Sequence, residues 1–370
     1  MTTSFALGDV VAAPGELVHG WFELATLPTG HLERLPIVLV HGREPGPTVW
    51  ITANIHGDEV TGLSVVHGLL EQGLAEQLRG TLVAIPSLNP AGLHARQRVS
   101  YLDRRDPNRL FPDFPPEPGQ SSSDHPAVLE AGYARLFAEM RRADFLVDLH
   151  CYGLRACCFI IRDRVLYRRP EDLPAARELA DRLDALCAWS GLPVVNEIPS
   201  DRYLQARLHR SVSGTALLQA GIPAITVELG LTGAVDPAAR QAGIVACLNV
   251  LRGAGMLPGA LEPLVGIPIP RVEFPVMRAL VPRARATGIV HYHVEPGDLV
   301  RVGDRLATLS DIHGRSLPAG GDIRADVDGW ILALPHGVLC YEGEAVVHMA
   351  VPDDGPPVEL DPHYDPASAR

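Results

Sequence analysis

Three residues of the types that bind zinc stand at the ends of strand-like runs. His56 and Glu59 are three residues apart in TANIHGDEV, and His150 ends the later run ADFLVDLH. Each run is apolar before the ligand and has glycine close behind it, and open α/β sheets build their sites at the carboxyl ends of strands. Two imidazoles and one carboxylate leave a tetrahedral zinc one position for water, as a catalytic site requires. The alternative is that His56 is a loop histidine and Glu59 caps the next helix.

A second group of candidates is the arginine-rich segment RVSYLDRRDPNRLFP at 98–112. Its arginines are Arg98, Arg104, Arg105 and Arg109, and Asn108 stands among them. An arginine fork holds a carboxylate with two parallel hydrogen bonds, and asparagine adds a neutral donor. Beside zinc, another arginine would stabilise the oxyanion of a tetrahedral intermediate. The alternative is a solvated loop with internal Arg–Asp pairs, which contribute little.

Two acids complete the set of candidates. Glu228 ends the buried-type strand of GIPAITVELG, where a carboxylate can take a proton from water and deliver it to a leaving amine. The alternative is a strand-end acid paired with an arginine. Asp148 lies two residues before His150 on the same strand face, so it is either an orienting partner of that ligand or an ordinary buried acid.

Composition excludes several other chemistries. The 370 residues carry a net charge of −12, which makes nucleic acid and membrane surfaces poor partners. The expected partner is a small-molecule substrate of the candidate site. The chain has no lysine, so Schiff-base chemistry and lysine-linked pyridoxal phosphate, biotin or lipoate are excluded. We find neither a signal peptide nor an apolar run of membrane-spanning length. The six cysteines lack CxxC spacing and are typical of reduced thiols in a cytoplasmic protein.

The order of elements predicts where these residues lie. Strand candidates at 48–54, 81–86, 144–149, 158–162 and 224–229 alternate with helical segments at 58–78, 126–142, 172–189 and 235–254. That alternation predicts an α/β fold with a mostly parallel mixed sheet and helices on both faces. The Pro/Ser-rich loop at 111–126 is typical of either a lid or disorder.

The composition also suggests domain boundaries. Residues 1–46 form short strands expected to pack on a catalytic domain at 47–265, and 271–352 has the short strands and turns of a small all-β module. The segment 353–370 is polar, rich in proline and expected to be loose.

Taken together, the motifs resemble the succinylglutamate desuccinylase/aspartoacylase family, a branch of the zinc carboxypeptidase superfamily. The matching pieces are NIHGDE at 54–59, SLNPAGL at 87–93, Arg98 with the segment 106–112, DLH at 148–150 and TVELG at 226–230. One departure is Pro107, where the family commonly has leucine. It is expected to alter the loop backbone without removing a ligand.

The resemblance implies roles for the individual residues. His56, Glu59 and His150 would bind one zinc ion per chain. Glu228 would be the general base and acid, and Arg98 would polarise the scissile carbonyl. The resemblance also implies that Asn108 and Arg109 hold the substrate carboxylate.

The resemblance extends to the C-terminal module. Residues 271–352 resemble the β-sandwich of many bacterial members, which is similar to biotinyl/lipoyl domains. Without lysine the module cannot carry either group, so we expect a structural or site-covering role, or a contact in a homodimer or homotetramer.

These observations predict a cytoplasmic zinc amidohydrolase that removes an acyl group from an N-acyl amino acid or a related small carboxylate. Two other enzymes fit the same site, a metallocarboxypeptidase and a cyclic-amide hydrolase. A third possibility is a non-catalytic binding protein that retains the fold.

Overall fold

The computed structural model describes residues 3–114, 126–270 and 274–363. Within them, the α-helices are Thr61–Leu70 (α1), Pro90–Ala95 (α2), Val128–Met140 (α3), Leu173–Ser190 (α4), Ser200–Gln205 (α5), Val212–Ala220 (α6) and Pro237–Gly253 (α7). Short 3-10 turns occur at Leu74–Glu76, Pro107–Arg109, Pro170–Asp172 and Leu208–Arg210.

The strands of the first 270 residues are Phe5–Leu7 (β1), Val10–Ala12 (β2), Glu16–Thr26 (β3), Leu32–His41 (β4), Glu44–Ala53 (β5), Arg79–Ile85 (β6), Phe145–His150 (β7), Arg155–Ala156 (β8), Cys158–Arg162 (β9), Val165–Tyr167 (β10), Val194–Asn196 (β11) and Ala224–Leu229 (β12). Those that follow are Val276–Ala279 (β13), Gly288–Tyr292 (β14), Leu299–Val300 (β15), Arg305–Ser310 (β16), Asp322–Arg324 (β17), Gly329–Leu334 (β18), Leu339–Cys340 (β19), His348–Pro352 (β20) and Val358–Leu360 (β21).

One large mixed sheet organises the molecule. Its strand order is β15-β18-β20-β13-β11-β9-β12-β7-β5-β6-β4-β3, and β8 pairs with β18 off this path. The strands β12, β7, β5 and β6 pair in parallel at its centre, and antiparallel pairs flank them on both sides. The expected α/β fold with a mixed sheet is confirmed. The sheet is less parallel than expected, because the C-terminal strands, β3, β4 and β9 add antiparallel pairs to it.

The central strands form because their sequences are almost continuously apolar, which is the pattern of strands covered on both faces. In β5 the last five residues, Val49–Ala53, are all buried, and β6, β7 and β12 are buried along most of their length. Helix α7 packs against both α1 and α4, while α3 packs on β3 and α6 on β7 and β12. Asp236 begins α7 by accepting hydrogen bonds from the backbone N–H groups of Ala238 and Ala239.

The helical segment expected at 58–78 is shorter than predicted. Helix α1 ends at Leu70, and Gly73 then adopts a positive φ of 64° before a 3-10 turn. The sequence reading also missed α6, which has no strong polar face because most of its residues are buried. Periodicity identifies a helix only when one face meets water.

The C-terminal β strands are joined to the main sheet. Strands β13, β15, β18 and β20 extend the large sheet, and β14, β16, β17 and β19 form a separate four-stranded sheet over them. A core of their own lies between the two layers. Trp330 and Val276 also pack with Phe159 and Val195 of the preceding domain, so the two parts share apolar contacts as well as a sheet.

Part of the segment expected to be loose is ordered. Strand β21 pairs in parallel with β10, and the buried Asp353 forms an ion pair with Arg164 at 2.8 Å. A buried ion pair anchors the chain where composition alone suggested a free tail. Residues 364–370 and most of the 111–126 loop lie outside the described residues.

In the described parts of the chain, no helix is both long and apolar enough to cross a membrane.

Candidate metal and catalytic site

The parallel strands bring the candidate residues to one edge of the sheet. Strand β5 ends just before the loop that carries His56 and Glu59, and His150 is the last residue of the neighbouring β7. Strand β12 pairs in parallel with β7, in a register that places Glu228 opposite His150. Since parallel strands end at the same edge, residues nearly 170 positions apart meet there.

The three predicted metal ligands form one buried cluster. One oxygen of Glu59 lies 2.7 Å from Nδ1 of His56, and the other lies 2.9 Å from Nδ1 of His150. The ligand atoms of the three side chains all lie within 4.8 Å of one another, and each residue is no more than 3% exposed. Two neutral imidazoles and a carboxylate are a donor set suited to a divalent cation.

The remaining ring nitrogens have carboxylate partners. Nε2 of His150 lies 2.7 Å from Asp148, and Nε2 of His56 lies 3.1 Å from Asp106. A carboxylate on the far nitrogen fixes the ring orientation and makes the near nitrogen a better ligand. The geometry agrees with the orienting alternative for Asp148. The corresponding partner of His56 was missed, because Asp106 is fifty residues away in an arginine-rich loop.

Asn54 shapes the loop that carries the first two ligands. Its backbone has a positive φ of 56°, a conformation that asparagine tolerates better than most residues. Its side-chain nitrogen lies 3.0 Å, 3.2 Å and 3.0 Å from the backbone oxygens of His56, Gly57 and Glu59. The Ser87 hydroxyl donates to its side-chain oxygen at 2.7 Å. An asparagine directly after a buried strand was the available sequence signal for this role.

Glu59 does not cap the following helix. The residue at the N-cap of α1 is Val60, which makes no side-chain capping bond. The Glu59 carboxylate instead accepts from the backbone N–H of Cys151 at 3.0 Å and from Arg98 at 3.3 Å, in addition to its histidine partners. The capping alternative for this acid is therefore wrong.

The side chains of the cluster shift one another's pKa values. Burial opposes ionisation of Glu59, but His56 and His150 outweigh it and hold the pKa of this carboxyl well below its usual range. Burial likewise opposes charge on His150, but Asp148 and Glu59 outweigh it and raise its pKa well above the ordinary value. A cation at the centre of the cluster therefore suits its electrostatics.

Glu228 differs from the acids of this cluster because one of its carboxylate oxygens lacks a hydrogen-bond partner in the described residues. It is buried, and its Oε2 has no hydrogen-bond partner among the described residues. Burial raises the pKa of Glu228 to about 7; the nearby Glu59 adds to that rise, and His150 opposes it. A carboxylate of such pKa can both accept and return a proton near neutral pH.

The arginine-rich segment lies along one side of the cluster. Arg98 donates to Asp106 at 2.9 Å as well as to Glu59, and half of its side chain is exposed. The buried Asn108 accepts at its side-chain oxygen from the backbone N–H of Val212 at 2.9 Å, which leaves its amide nitrogen as a donor. Arg109 donates to the backbone oxygens of Asn108 at 2.6 Å and Ala206 at 3.2 Å.

All seven residues proposed from the sequence line one cavity of about 120 Å³. The structure therefore brings together His56, Glu59, Arg98, Asn108, Arg109, His150 and Glu228. Larger surface depressions, such as one of about 580 Å³ lined by Arg182 and Asp361, hold none of these residues. The donor set and the orphaned carboxylate oxygen identify the small cavity as the candidate site.

Several polar residues of the cavity were missed by sequence reasoning. They are Tyr152, Asp163, Glu197, Ser211, Ser213, Thr226 and Arg278. Arg278 comes from β13 of the C-terminal part and makes a bidentate ion pair with Glu197, with nitrogen–oxygen distances of 2.8 Å and 2.9 Å. Isolated acids and arginines far apart in sequence carry no motif, so only the fold associates them.

The weaker candidates have other environments. Burial raises the pKa of the Cys151 thiol to about 12, which makes it a poor nucleophile. His291 and His293 hydrogen-bond the hydroxyls of Ser310 at 2.9 Å and Thr308 at 3.2 Å on the neighbouring strand.

Comparison with known proteins agrees with these observations. The model of the succinylglutamate desuccinylase/aspartoacylase catalytic domain matches residues 45–254, more than half of the chain. The chain belongs to the succinylglutamate desuccinylase/aspartoacylase family. The resemblance seen in its motifs is confirmed.

Relatives cover most of the chain. The N-alpha-acetyl-L-2,4-diaminobutyric acid deacetylase of Halomonas elongata is 25% identical over 323 residues, which are 85% of each chain. The product-bound ectoine utilization protein EutE (DoeB) of Ruegeria pomeroyi is 22% identical, with a TM-score of 0.71 over 90% of this chain and 95% of that one. A succinylglutamate desuccinylase of Silicibacter sp. TM1040 is 21% identical, with a TM-score of 0.70 over 91% and 95%. The structural likenesses show a shared fold that includes the C-terminal β strands.

This chain departs from the usual family pattern at Pro107, and the structure explains how the proline is accommodated. Pro107 occupies the first position of the 3-10 turn Pro107–Arg109, where its missing N–H is not needed. Asp106 caps the turn by accepting from the Asn108 N–H at 2.9 Å. The proline therefore fits the turn, and Asn108 and Arg109 still line the cavity.

Proposed function

We propose that this protein is a zinc-dependent amidohydrolase that deacylates an N-acyl amino acid or a related small carboxylate. The observation that carries the proposal is the buried His56–Glu59–His150 cluster with the orphaned Glu228 carboxylate in the same cavity. Membership of the desuccinylase/aspartoacylase family supports hydrolysis of an amide. So does the relative from Halomonas elongata, a deacetylase of an N-acetylated amino acid.

The metal would be held by Nδ1 of His56, Nδ1 of His150 and the Glu59 carboxylate. Zinc bound there would polarise a carbonyl and lower the pKa of water to about 7. Asp106 and Asp148 would hold the two imidazoles in the ligating tautomer through their Nε2 atoms.

Glu228 would move the proton. Its Oε2 has no protein partner in the described residues, so it can accept a hydrogen bond from the attacking water. After taking that proton, the same carboxyl group would deliver it to the departing nitrogen, which leaves as an amine. The raised pKa of about 7 suits both halves of this transfer.

The arginines would orient the substrate. Arg98 reaches the metal ligand Glu59 and is half exposed, so it can turn a guanidinium N–H towards the carbonyl oxygen as negative charge develops. Arg109 and the amide nitrogen of Asn108 would hold the carboxylate of the substrate. The small cavity suits a substrate of amino-acid size.

The proposal is tested by chelation and a substrate panel. We expect the purified protein to release free amino acids from N-acyl amino acids, to lose this activity to a chelator, and to recover it when one equivalent of zinc is returned. Mass spectrometry of incubations with N-acyl amino acids, dipeptides and lactams identifies the products.

Three results would contradict the proposal. A rate that the chelator leaves unchanged would exclude the metal mechanism. Cleavage confined to dipeptides or lactams would favour a carboxypeptidase or a cyclic-amide hydrolase. Protein without stoichiometric zinc and without turnover would favour a binding protein.

We also propose a cytoplasmic location for the protein. All six cysteines lie in the described residues, and each is a buried free thiol. Reduced thiols are typical of proteins in a reducing compartment.

A further inference from the structure

The charges that line the cavity are mostly paired. Arg98 interacts with Glu59 and Asp106, and the Arg278 guanidinium is held by both oxygens of Glu197. Glu59 is also enclosed by the two histidines. These groups already have opposite charges against them, so they do not require a charged substrate.

One carboxylate of the cavity has no such partner. Asp163 directly follows β9, is only 6% exposed, and forms no ion pair within the residues that the structure describes. Its Oδ2 accepts from the Ser213 hydroxyl at the long distance of 3.4 Å, and Ser213 is shared with Thr226 at 2.9 Å. A buried carboxylate is expected to be paired with a cation, so this one requires an explanation.

The electrostatics of Asp163 favour binding of a cation. Burial and the neighbouring Glu197 raise the pKa of Asp163 to about 7, and the opposing effects of Tyr203 and Arg278 do not offset them. Arg278 is engaged by Glu197 at 2.8 Å and forms no ion pair with Asp163.

Arg109 is a cation of the same cavity that also lacks an ion-pair partner among the described residues. In the described residues its guanidinium donates to two backbone oxygens and forms no ion pair with a carboxylate. The cavity therefore presents one unpaired cation and one unpaired anion besides the metal cluster and Glu228. A ligand that satisfies both must carry a negative and a positive group.

We propose that Asp163 binds an ammonium group on the side chain of the substrate, which makes the substrate an N-acylated diamino acid. This inference rests on the proposed deacylase function, in which Arg109 holds the carboxylate. An acidic side chain would instead lie against Asp163 and be repelled.

Binding of the amino-acid product tests the subsite without turnover. The probes are L-2,4-diaminobutyrate and L-2-aminobutyrate, which differ only in the terminal amine, titrated calorimetrically into the zinc-loaded protein. We expect the diamino acid to bind roughly 10- to 100-fold more tightly, as for a hydrogen bond between charged groups. Asp163→Asn should remove this preference, and Asp163→Ser is a second charge-removing variant if the first does not fold.

The matched control is Asp181→Asn, which makes the same change of net charge on the exposed face of α4 and should leave the preference intact. Equal affinities in the wild type, no binding of either probe, or a preference that survives Asp163→Asn would overturn the inference. With the N-acetyl forms, Asp163→Asn should lower kcat/KM for the diamino substrate roughly 10- to 100-fold more than it lowers kcat/KM for the neutral one. Hydrolysis of neutral or acidic N-acyl amino acids alone would overturn this inference and leave the deacylase function standing.

Discussion

At the scale of single residues, orientation decides which atoms are available for chemistry. Both histidines present Nδ1 to Glu59, and both place Nε2 against a second carboxylate. The resulting ligand set is held from two sides, so little reorganisation is needed when a cation binds. Glu228 differs from these acids because one of its buried oxygens has no partner in the described residues.

That difference predicts the result of changing Glu228 alone. Glu228→Gln keeps the shape of the side chain but removes the proton acceptor, so kcat should fall roughly 10²- to 10⁴-fold. Zinc content, measured by atomic spectroscopy, should stay at one per chain, because Glu228 is not a proposed ligand. Glu178→Gln, at an exposed position of α4, is the control. Full activity of Glu228→Gln would exclude this residue as the base.

The raised pKa of Asp163 predicts a pH-dependent stability. Between its ordinary pKa and about 7, the folded chain keeps a proton that the unfolded chain has released, so this group's contribution to stability falls as pH rises through that window. Asp163→Asn removes the titration. From pH 5 to pH 8, the variant should therefore gain on the order of 3 kcal/mol relative to the ligand-free wild type.

Thermal melting at the two pH values measures this gain as a growing difference in Tm. Asp181→Asn, whose side chain is exposed, should show the same Tm difference from wild type at both pH values. A constant difference for Asp163→Asn would mean that Asp163 is not protonated in the folded protein at pH 5.

At the scale of elements, strand ends and one tight loop place the ligands. The side-chain amide of Asn54 holds the loop after β5 by donating hydrogen bonds to three of its backbone carbonyl oxygens. The loop also packs directly against the backbone of helix α2. The contact is so close that a Cβ on Gly57 would overlap the backbone of Gly92 and Leu93. Glycine is therefore required between the two ligands for packing, and its φ is not in the left-handed region.

Gly57→Ala should consequently weaken the metal site. The added methyl group must push the loop away from α2 and displace His56 and Glu59, which should lower zinc affinity roughly 10- to 100-fold, as loss of ligand support does in other sites. Competition with a fluorescent chelator measures this affinity. Gly73→Ala is the control, since Gly73 has a positive φ but open space around it, and should cost about 1–2 kcal/mol of stability without changing zinc affinity. Equal zinc affinity in both variants would contradict the packing argument.

At the scale of the whole molecule, the C-terminal β strands complete the wall of the site. Strand β13 pairs with β11 through Asn196 and Met277, which brings the neighbouring residues Glu197 and Arg278 together. The shared sheet and the contacts of Trp330 with Phe159 hold this arrangement. The C-terminal part thus supplies a charge to the cavity.

Removing Arg278 should therefore destabilise the protein beyond what a surface ion pair contributes. Arg278→Met leaves Glu197 buried and unpaired, which should cost roughly 3–5 kcal/mol, and adding Glu197→Gln should recover part of that loss. Arg305→Met is the control, because its pair with Asp322 is half exposed and should contribute less than about 1 kcal/mol. Chemical unfolding of the four proteins provides the comparison. Equal stabilities of the two single variants would show that the Glu197 pair contributes no more than a surface pair.

Much of the fold and the core of the site follow from local sequence. The strands β5, β6, β7, β9 and β12 were predicted within a few residues, because buried parallel strands are continuous apolar runs. His56, Glu59 and His150 were recognisable because each is a metal-binding type at a strand end, where such sheets place their sites.

Tertiary structure alone decided the rest. That Asp106 supports His56 and that Arg278 pairs with Glu197 depend on contacts between residues 50 and 81 positions apart. The side on which His150 faces Glu59 depends on a contact between residues 91 positions apart. The same is true of the unpaired charge on Asp163, since pairing is a property of distances between side chains. The sequence by itself determined the donor types and the strands that carry them, whose signals are local periodicity and residue chemistry. Only the folded chain determined how the side chains are oriented and which charges are paired. Both depend on packing between segments that are distant in sequence, and no local pattern predicts which distant segments meet.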